Sequence, residues 1–422
     1  MKVDYKRALG IISSYPGTFM DVPAGELLAV LTHWLQDFPN KAPFMSEIEH
    51  KALKAYFENQ LGVPSEDIEI TYRGLPFQPA EDPQFRFIDL FAGIGGFRIA
   101  LQNHGGKCVF SSDWDKFAKV TYQNNHGETP FGDMRLFTGP KITDKKIDEL
   151  VPDHDILCGG FPCQPFSRAG VSARTSLGKA HGFEDENQGN LFFDIMRIVK
   201  VKRPQVLFLE NVKNLRSHDQ GNTFAVIKKT IEDLGYKFHD EVIDASTTVP
   251  QKRQRCYMVA FRNKNVKFSY PDFSGAQIPL RTVLEKNVAD TFTISDKLWS
   301  GHQNRTKRNL DRGAGFTAFQ ADLDKPANTL VARYGKDGKE CLVPQEGKNP
   351  RKLTPRECAR LMGYPDTFIC YPSNAGSYRQ FGNSLVVPVV QKIAGQIVPH
   401  LKQQKLKKEK EIQYAGTRVR GI

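Results

Sequence analysis

The chain has little of what membrane, secreted or metal-scaffold proteins need. Among 422 residues, 40% hydrophobic and 25% charged, no apolar run approaches the roughly 20 residues that span a bilayer. The opening residues, Met1-Lys2-Val3-Asp4-Tyr5-Lys6-Arg7, lack the apolar core and small-residue cleavage site of a leader. The 7 cysteines (108, 158, 163, 256, 341, 358, 370) are odd in number and never spaced as CxxC. They read as reduced thiols of an intracellular chain, and no metal site is expected from them. Acidic charge is also in deficit, leaving a net charge of +12. That balance favours a polyanionic partner without saying which.

One stretch organises what is present. Gly159-Gly160-Phe161-Pro162-Cys163-Gln164-Pro165-Phe166-Ser167 directly follows the apolar run Asp155-Ile156-Leu157-Cys158. The run reads as a buried strand, which the glycines and prolines are expected to end in an irregular turn. Open α/β sheets place ligands outside the carboxyl ends of their strands, so Cys163 falls where chemistry is done. A buried cysteine is more often a small hydrophobe. Here the shaped loop favours a nucleophile, which basic neighbours could hold as thiolate.

In chain order, residues 1–84 read as a helical extension, an appendage of unknown role. It either packs on the main domain or, less favoured, forms a DNA-binding arm. Nothing catalytic is expected there. The main domain, 85–270, opens with the strand Phe85-Arg86-Phe87-Ile88-Asp89-Leu90-Phe91 and the turn Ala92-Gly93-Ile94-Gly95-Gly96 before a helix. Gly93, Gly95 and Gly96 let backbone approach a ligand, and this turn is neither GxGxxG nor a phosphate cradle. An adenosine without pyrophosphate fits such a turn better than a dinucleotide does.

A second strand ends at Asp113-Trp114, where an acid can hold ribose hydroxyls and an indole can cover a purine. Gly132-Asp133 is expected to close a third strand with another acceptor. Helix capping would place either acid there as ordinarily. Residues 168–190 read as a polar, glycine-rich lid whose Arg168, Arg174 and Lys179 suit phosphate. Glu210 ends the strand Gln205–Val212, and apolar neighbours favour its protonated, donating form. Capping or a salt bridge would place a glutamate there as readily. Gln251-Lys252-Arg253-Gln254-Arg255 is either a solvated charge run or the start of a core strand aiming both arginines into one cleft.

Residues 271–375 are turn-rich, with basic residues among aromatics, as at Arg333-Tyr334 and His302-Gln303-Asn304-Arg305-Thr306-Lys307-Arg308. Such a region suits a nucleic acid surface. Within it Thr354, Pro355 and Glu357 occupy the N-cap, N1 and N3 positions of a helix. Residues 376–400 return to the main domain, and 401–422 form a lysine-rich tail.

Taken together, Asp89-Leu90-Phe91-Ala92-Gly93-Ile94-Gly95-Gly96, Pro162-Cys163-Gln164, Glu210-Asn211-Val212, Gln251-Lys252-Arg253-Gln254-Arg255 and Gly382-Asn383-Ser384 resemble the motifs of the DNA (cytosine-5)-methyltransferases. Phrases such as Tyr378-Arg379-Gln380-Phe381 look most like the bacterial Dcm type. The resemblance implies a Rossmann-like α/β methyltransferase fold with a mixed sheet and a target-recognition domain, and S-adenosylmethionine as cofactor. By it, Phe91 packs on adenine, Asp113 holds the ribose, Asp133 the adenine amino group, and Asn383 and Ser384 the methionine end. It makes Cys163 the nucleophile, Glu210 the acid, and Arg253 and Arg255 the groups that fix the base. Ser167, Arg168, Gln251, Arg333 and Tyr334 are expected on duplex DNA. The type further implies a monomer in the bacterial cytoplasm at the nucleoid, with a cognate restriction endonuclease. A zinc deaminase also acts on cytosine, but Cys163-Gln164-Pro165-Phe166 lacks its second cysteine. An RNA cytosine methyltransferase would share the catalytic parts, but the large basic region from 271 is more expected of an enzyme acting on duplex DNA. A catalytically silent DNA-binding module is disfavoured because every catalytic position is filled.

Overall fold

The computed structural model describes residues 1–162, 191–313, 318 and 320–401. A six-stranded sheet holds the molecule together, in spatial order β4-β3-β5-β6-β8-β7. Its strands are β3 Phe85–Leu90, β4 Gly106–Ser112, β5 Ile156–Gly160, β6 Val206–Val212, β7 Lys237–Asp244 and β8 Gln254–Phe261. The first four are parallel, and β8 runs antiparallel to both β6 and β7. Alternation along each strand divides the core between two faces. Phe85, Phe87, Val206 and Phe208 face the helix α4 (Gly96–Gln102) and the C-terminal helices. Ile88, Leu90, Leu207 and Leu209 face the helix Leu191–Lys202 and the N-terminal segment. The result is a three-layer α/β/α sandwich. No described helix is long and apolar enough to cross a membrane.

Three local expectations give way. β5 continues through both glycines, because a Cβ on Gly159 would stand 2.6 Å from the Leu90 carbonyl oxygen. Glycine therefore permits close strand approach there instead of ending the strand. Residues near Gly132 form no strand, only the isolated bridge between Ser112 and Phe131. The basic stretch around His302 lies on a 16-residue helix, Asp296–Asp311, N-capped by Ser295. The helix Pro355–Leu361 does carry the capping box of Thr354 and Glu357.

Residues 1–84 are less an appendage than a third wall. Helices α1 (Tyr5–Ser13), α2 (Leu27–Gln36) and α3 (Glu47–Leu61) pack with β1 (Lys2–Asp4) and β2 (Glu69–Thr71), a parallel pair. Val30, Trp34 and Phe57 share one core with Phe110 and Phe131 of the main domain. The reason is compositional: α2 buries eight consecutive residues, Ala29 to Gln36, more than a solvent-backed helix would bury.

Candidate active site

The carboxyl ends of β3, β4, β5 and β6 open on one cavity of about 590 Å³, within the size range of small-molecule sites. Its floor is the turn after β3. Gly93 and Gly95 take positive φ (54° and 87°), and so does Phe91 (56°), a strained conformation for a non-glycine residue. The ring of buried His126 stands directly behind Gly95, where a Cβ would collide with it. Phe91, Gly93 and Gly96 all line the cavity.

Asp113 lies just beyond β4 and ties the turn in place. Its Oδ2 accepts from the Gly93 N–H at 2.7 Å and its Oδ1 from the Asp115 N–H at 2.7 Å. Burial pushes its carboxyl up from the ordinary value, against the pull of those two amides. Each oxygen keeps a second lone pair, and Asp113 lines the cavity. Trp114 extends its indole into solvent at the rim, 77% exposed. Asp133 is held in a fork by Arg135, whose Nε donates to both its oxygens at 3.0 Å. That hydrogen bond holds the Asp133 carboxyl below the ordinary value, so it is an ionised acceptor.

Opposite, Glu210 pairs across the sheet with Gly160, two residues before Pro162 and three before Cys163. Cys163 itself, with Ser167 and Arg168, lies outside the described residues. The Glu210 carboxylate meets the Arg255 Nε at 3.1 Å. Burial raises its proton affinity, and Arg255 and then Arg253 oppose that rise. Glu210 is thus salt-bridged and lines the cavity.

Arg253 is placed differently from expectation. Its guanidinium donates to the carbonyls of Leu330 (2.8 Å), Gly382 (3.1 Å) and Ser384 (2.6 Å). Burial pulls it below the usual arginine value, yet with three acceptors and an intrinsic pKa above about 12 it stays charged. Those three bonds anchor it to backbone beside the cavity that it lines, while its buried Nε–H has no partner among the described residues. Gly382 belongs to the same joint, since a Cβ there would clash with the backbone of Val331 and Ala332. Ser384 shares a 2.6 Å hydrogen bond with the Tyr364 hydroxyl, and Asn383 is exposed at the cavity rim.

Two residues expected on DNA are interior instead. Gln251 is fully buried, accepting from the Leu330 N–H (2.8 Å) and donating to the Leu361 carbonyl (3.0 Å). Tyr334 is likewise buried, its hydroxyl donating to Cys341 O (2.6 Å) and accepting from Leu353 N–H (2.8 Å). Neither reaches a ligand without unpacking. Arg333, next to Tyr334, is exposed. Sequence reasoning missed Arg135, Asn211 and Gln380, which also line the cavity. Asn211 and Gln380 stand within the stretches Glu210-Asn211-Val212 and Tyr378-Arg379-Gln380-Phe381, and Arg135 stands two positions after Asp133. Among the described residues no His, Cys, Asp or Glu cluster could hold a metal ion.

A glycine turn, an acid at the end of the next strand and an open cavity over a mixed sheet define an S-adenosylmethionine-dependent methyltransferase fold. The fold is shared with a solved methyltransferase, Dnmt2 of S. pombe, at TM-score 0.58 and 20% identity, over 75% of this chain and 98% of that one. The chain belongs to the C-5 cytosine-specific DNA methylases, whose family pattern matches residues 85–399. It is 46% identical over 341 residues to the type II methyltransferase M1.ScrFI of Lactococcus lactis subsp. cremoris, covering 78% of this chain and 82% of that protein. It is 40% identical over 399 residues to the DNA-cytosine methyltransferase of Escherichia coli (strain K12), covering 82% and 84%. It is therefore a DNA (cytosine-5)-methyltransferase.

Proposed function

We propose that the enzyme methylates C5 of a cytosine flipped out of a specific duplex DNA sequence, through a covalent bond between Cys163 and C6. The observation that carries this reading is the position of Glu210. It is a half-buried carboxyl of raised proton affinity beside the strand that leads into Cys163, and it faces the cavity floored by the glycine turn. Cytosine C5 is a poor nucleophile until a thiolate adds at C6. Cys163 supplies that thiolate, and its pair of electrons becomes the Cys163–C6 bond. Glu210 donates a proton to N3 as negative charge develops there, and Arg255 keeps the carboxyl aimed. When bound, S-adenosylmethionine supplies an electrophilic methyl group for the activated C5. Loss of the C5 proton to a water molecule acting as base, return of the N3 proton to Glu210 and departure of the thiolate then restore the aromatic ring. A base within a duplex is closed to such attack, so flipping costs roughly a few kcal/mol.

The cavity fits the cofactor on its own features: backbone lining it at Gly93 and Gly96, and an ionised acceptor at Asp133, whereas Gly95 packs on His126. Phe91 and Trp114 would bracket the adenine, Asp133 would receive its amino group, and Asp113 the ribose through its remaining lone pairs. Asn383 and Ser384 would meet the methionine end. Arg333, with Ser167 and Arg168, would contact DNA, and the type II relatives support a cognate restriction endonuclease in the same system.

The test is a duplex carrying 5-fluorocytosine at the target. Addition at C6 and methylation at C5 can proceed, but fluorine then occupies the position from which a proton must leave. A cofactor-dependent adduct that survives denaturing electrophoresis and maps to Cys163 is expected. An adduct on another cysteine, or ordinary turnover, would refute the mechanism. Activity on structured RNA exceeding that on duplex DNA would refute the substrate.

A further inference from the structure

The family match begins at residue 85, yet one wall of the cofactor cavity is held from outside that range. Residues 128–133 lie along the end of β4 without forming a strand. The Phe131 N–H donates to Ser111 O (2.9 Å), the Asp113 N–H to Phe131 O (2.8 Å) and the Ser112 hydroxyl to Gly132 O (2.8 Å). The Gly132 N–H finds its acceptor in Glu26 Oε2, 2.9 Å away at the start of α2. Glu26 is 8% exposed and also faces the Lys119 ammonium at 3.4 Å. A Cβ on Gly132 would stand 2.6 Å from Glu26 Oε1, so the carboxylate fills the space a side chain would take. Two further donors of this wall reach the same segment: Thr129 N–H to Thr32 Oγ1 (3.0 Å) and Ser111 N–H to His33 Nε2 (3.2 Å).

We propose that Glu26 is a positioning residue for the cofactor, fixing the Gly132–Asp133 turn so that Asp133 meets the adenine. The proposal rests on the cofactor reading given above. Glu26 touches no reactant and acts through the Gly132 amide, with Lys119 as its second partner. Without it a buried N–H and a half-buried ammonium both lose their acceptor, a charge-assisted bond whose loss leaves costly unpaired groups. The turn must then shift toward water, and Asp133 moves with it. Chemistry at Glu210 and contacts to DNA lie across the cavity and are untouched.

The experiment uses the full chain. S-adenosylmethionine binding is measured by calorimetry, together with kcat and both KM values, for the wild type, Glu26→Ala, Glu26→Gln, Gly132→Ala and Asp133→Ala. Glu26→Ala is expected to weaken cofactor binding about tenfold, the scale of one such hydrogen bond. Its KM for DNA and its kcat at saturating cofactor should stay within about twofold, a split that general destabilisation does not produce. Glu26→Gln keeps an oxygen facing the Gly132 N–H and should recover most of the affinity. Should Glu26→Ala not fold, Gly132→Ala pushes on the same contact from the other side and should show the same cofactor-only defect. Undiminished affinity in Glu26→Ala, or in Gly132→Ala where that variant must decide, overturns the proposal. So does a joint loss of kcat, DNA affinity and melting temperature that Gln does not rescue. A silent Glu26→Ala beside a weakened Asp133→Ala sinks only this proposal. A wild type that does not bind the cofactor, or a silent Asp133→Ala, sinks the cofactor reading and this proposal with it.

Discussion

Residues 1–84 and residues 271–350 both lie outside the central sheet, and they present polar side chains in different ways. The N-terminal segment sends a few of them, Glu26, Gln36 and Asp37, against the main domain. Asp37 takes Lys107 at 2.6 Å and Arg86 at 3.4 Å, and Gln36 takes Arg98, which pairs with Glu128 at 2.9 Å with both side chains fully buried. In the second region the helix Asp296–Asp311 buries only His302 and Thr306, while Lys297, Arg305, Lys307 and Arg308 are exposed. Buried charge demands a fixed partner, whereas exposed charge is free to meet one that comes and goes. The first region thus belongs to the enzyme's structure, and the second is available to the phosphates of DNA.

The largest effect should come from the site that both regions flank. Glu210→Gln removes the donated proton but keeps the shape, and should lower methyl transfer about 10²–10⁴-fold. DNA binding, measured by fluorescence anisotropy, should hold. Equal losses in both would make Glu210 structural.

The next prediction bears on the inward-facing region. Glu128→Ala leaves Arg98 buried without its carboxylate, which should cost about 3–5 kcal/mol in urea unfolding. A change below about 1 kcal/mol would mean that Arg98, behind the segment's Gln36, does not depend on that carboxylate.

Acid should act on the same side of the molecule. Burial pulls the His154 imidazole down to about 4 and lowers His33 and His126 as well. Between about pH 6.5 and 4 the unfolded chain binds protons that the folded one refuses, so stability falls as pH falls. For His154 alone the loss is roughly 3 kcal/mol across that window. Stability that is flat from about pH 6.5 to 4 would contradict these buried, neutral imidazoles.

The smallest effect is expected on the outward-facing region. Replacing Arg305, Lys307 and Arg308 by alanine should weaken DNA binding and reduce its salt dependence by about 0.9 per lost phosphate contact. Cofactor affinity should not move. An unchanged salt slope would take this helix off the DNA.

What the sequence made legible was local. The strand, glycine turn and helix from Phe85 to Gln102 follow from patterns within a few residues, as does the box of Thr354 and Glu357. Glu210 was found because an acid ending an apolar strand is itself a local anomaly. Gln251 and Tyr334 misled because polar side chains beside basic ones look exposed, while their partners Leu330, Leu361 and Leu353 lie 79, 110 and 19 residues away. The backbone anchors of Arg253 were hidden for the same reason, lying 77 to 131 residues downstream. The role of 1–84 was hidden because Glu26 and Gly132 are 106 residues apart.

The joint around Arg253 has a consequence for how the enzyme is made. A ribosome delivers the chain from its first residue onward, and early segments fold as they emerge. The sheet strands are all present by Phe261, but the guanidinium of Arg253 must wait for Leu330, and then for Gly382 and Ser384, near the end of synthesis. Until those carbonyls arrive, the Arg253 guanidinium lacks its acceptors and the cavity lacks its wall at Asn383 and Ser384. A nascent or prematurely ended chain therefore has its sheet but no finished pocket, so incomplete copies could occupy the ribosome without modifying the genome.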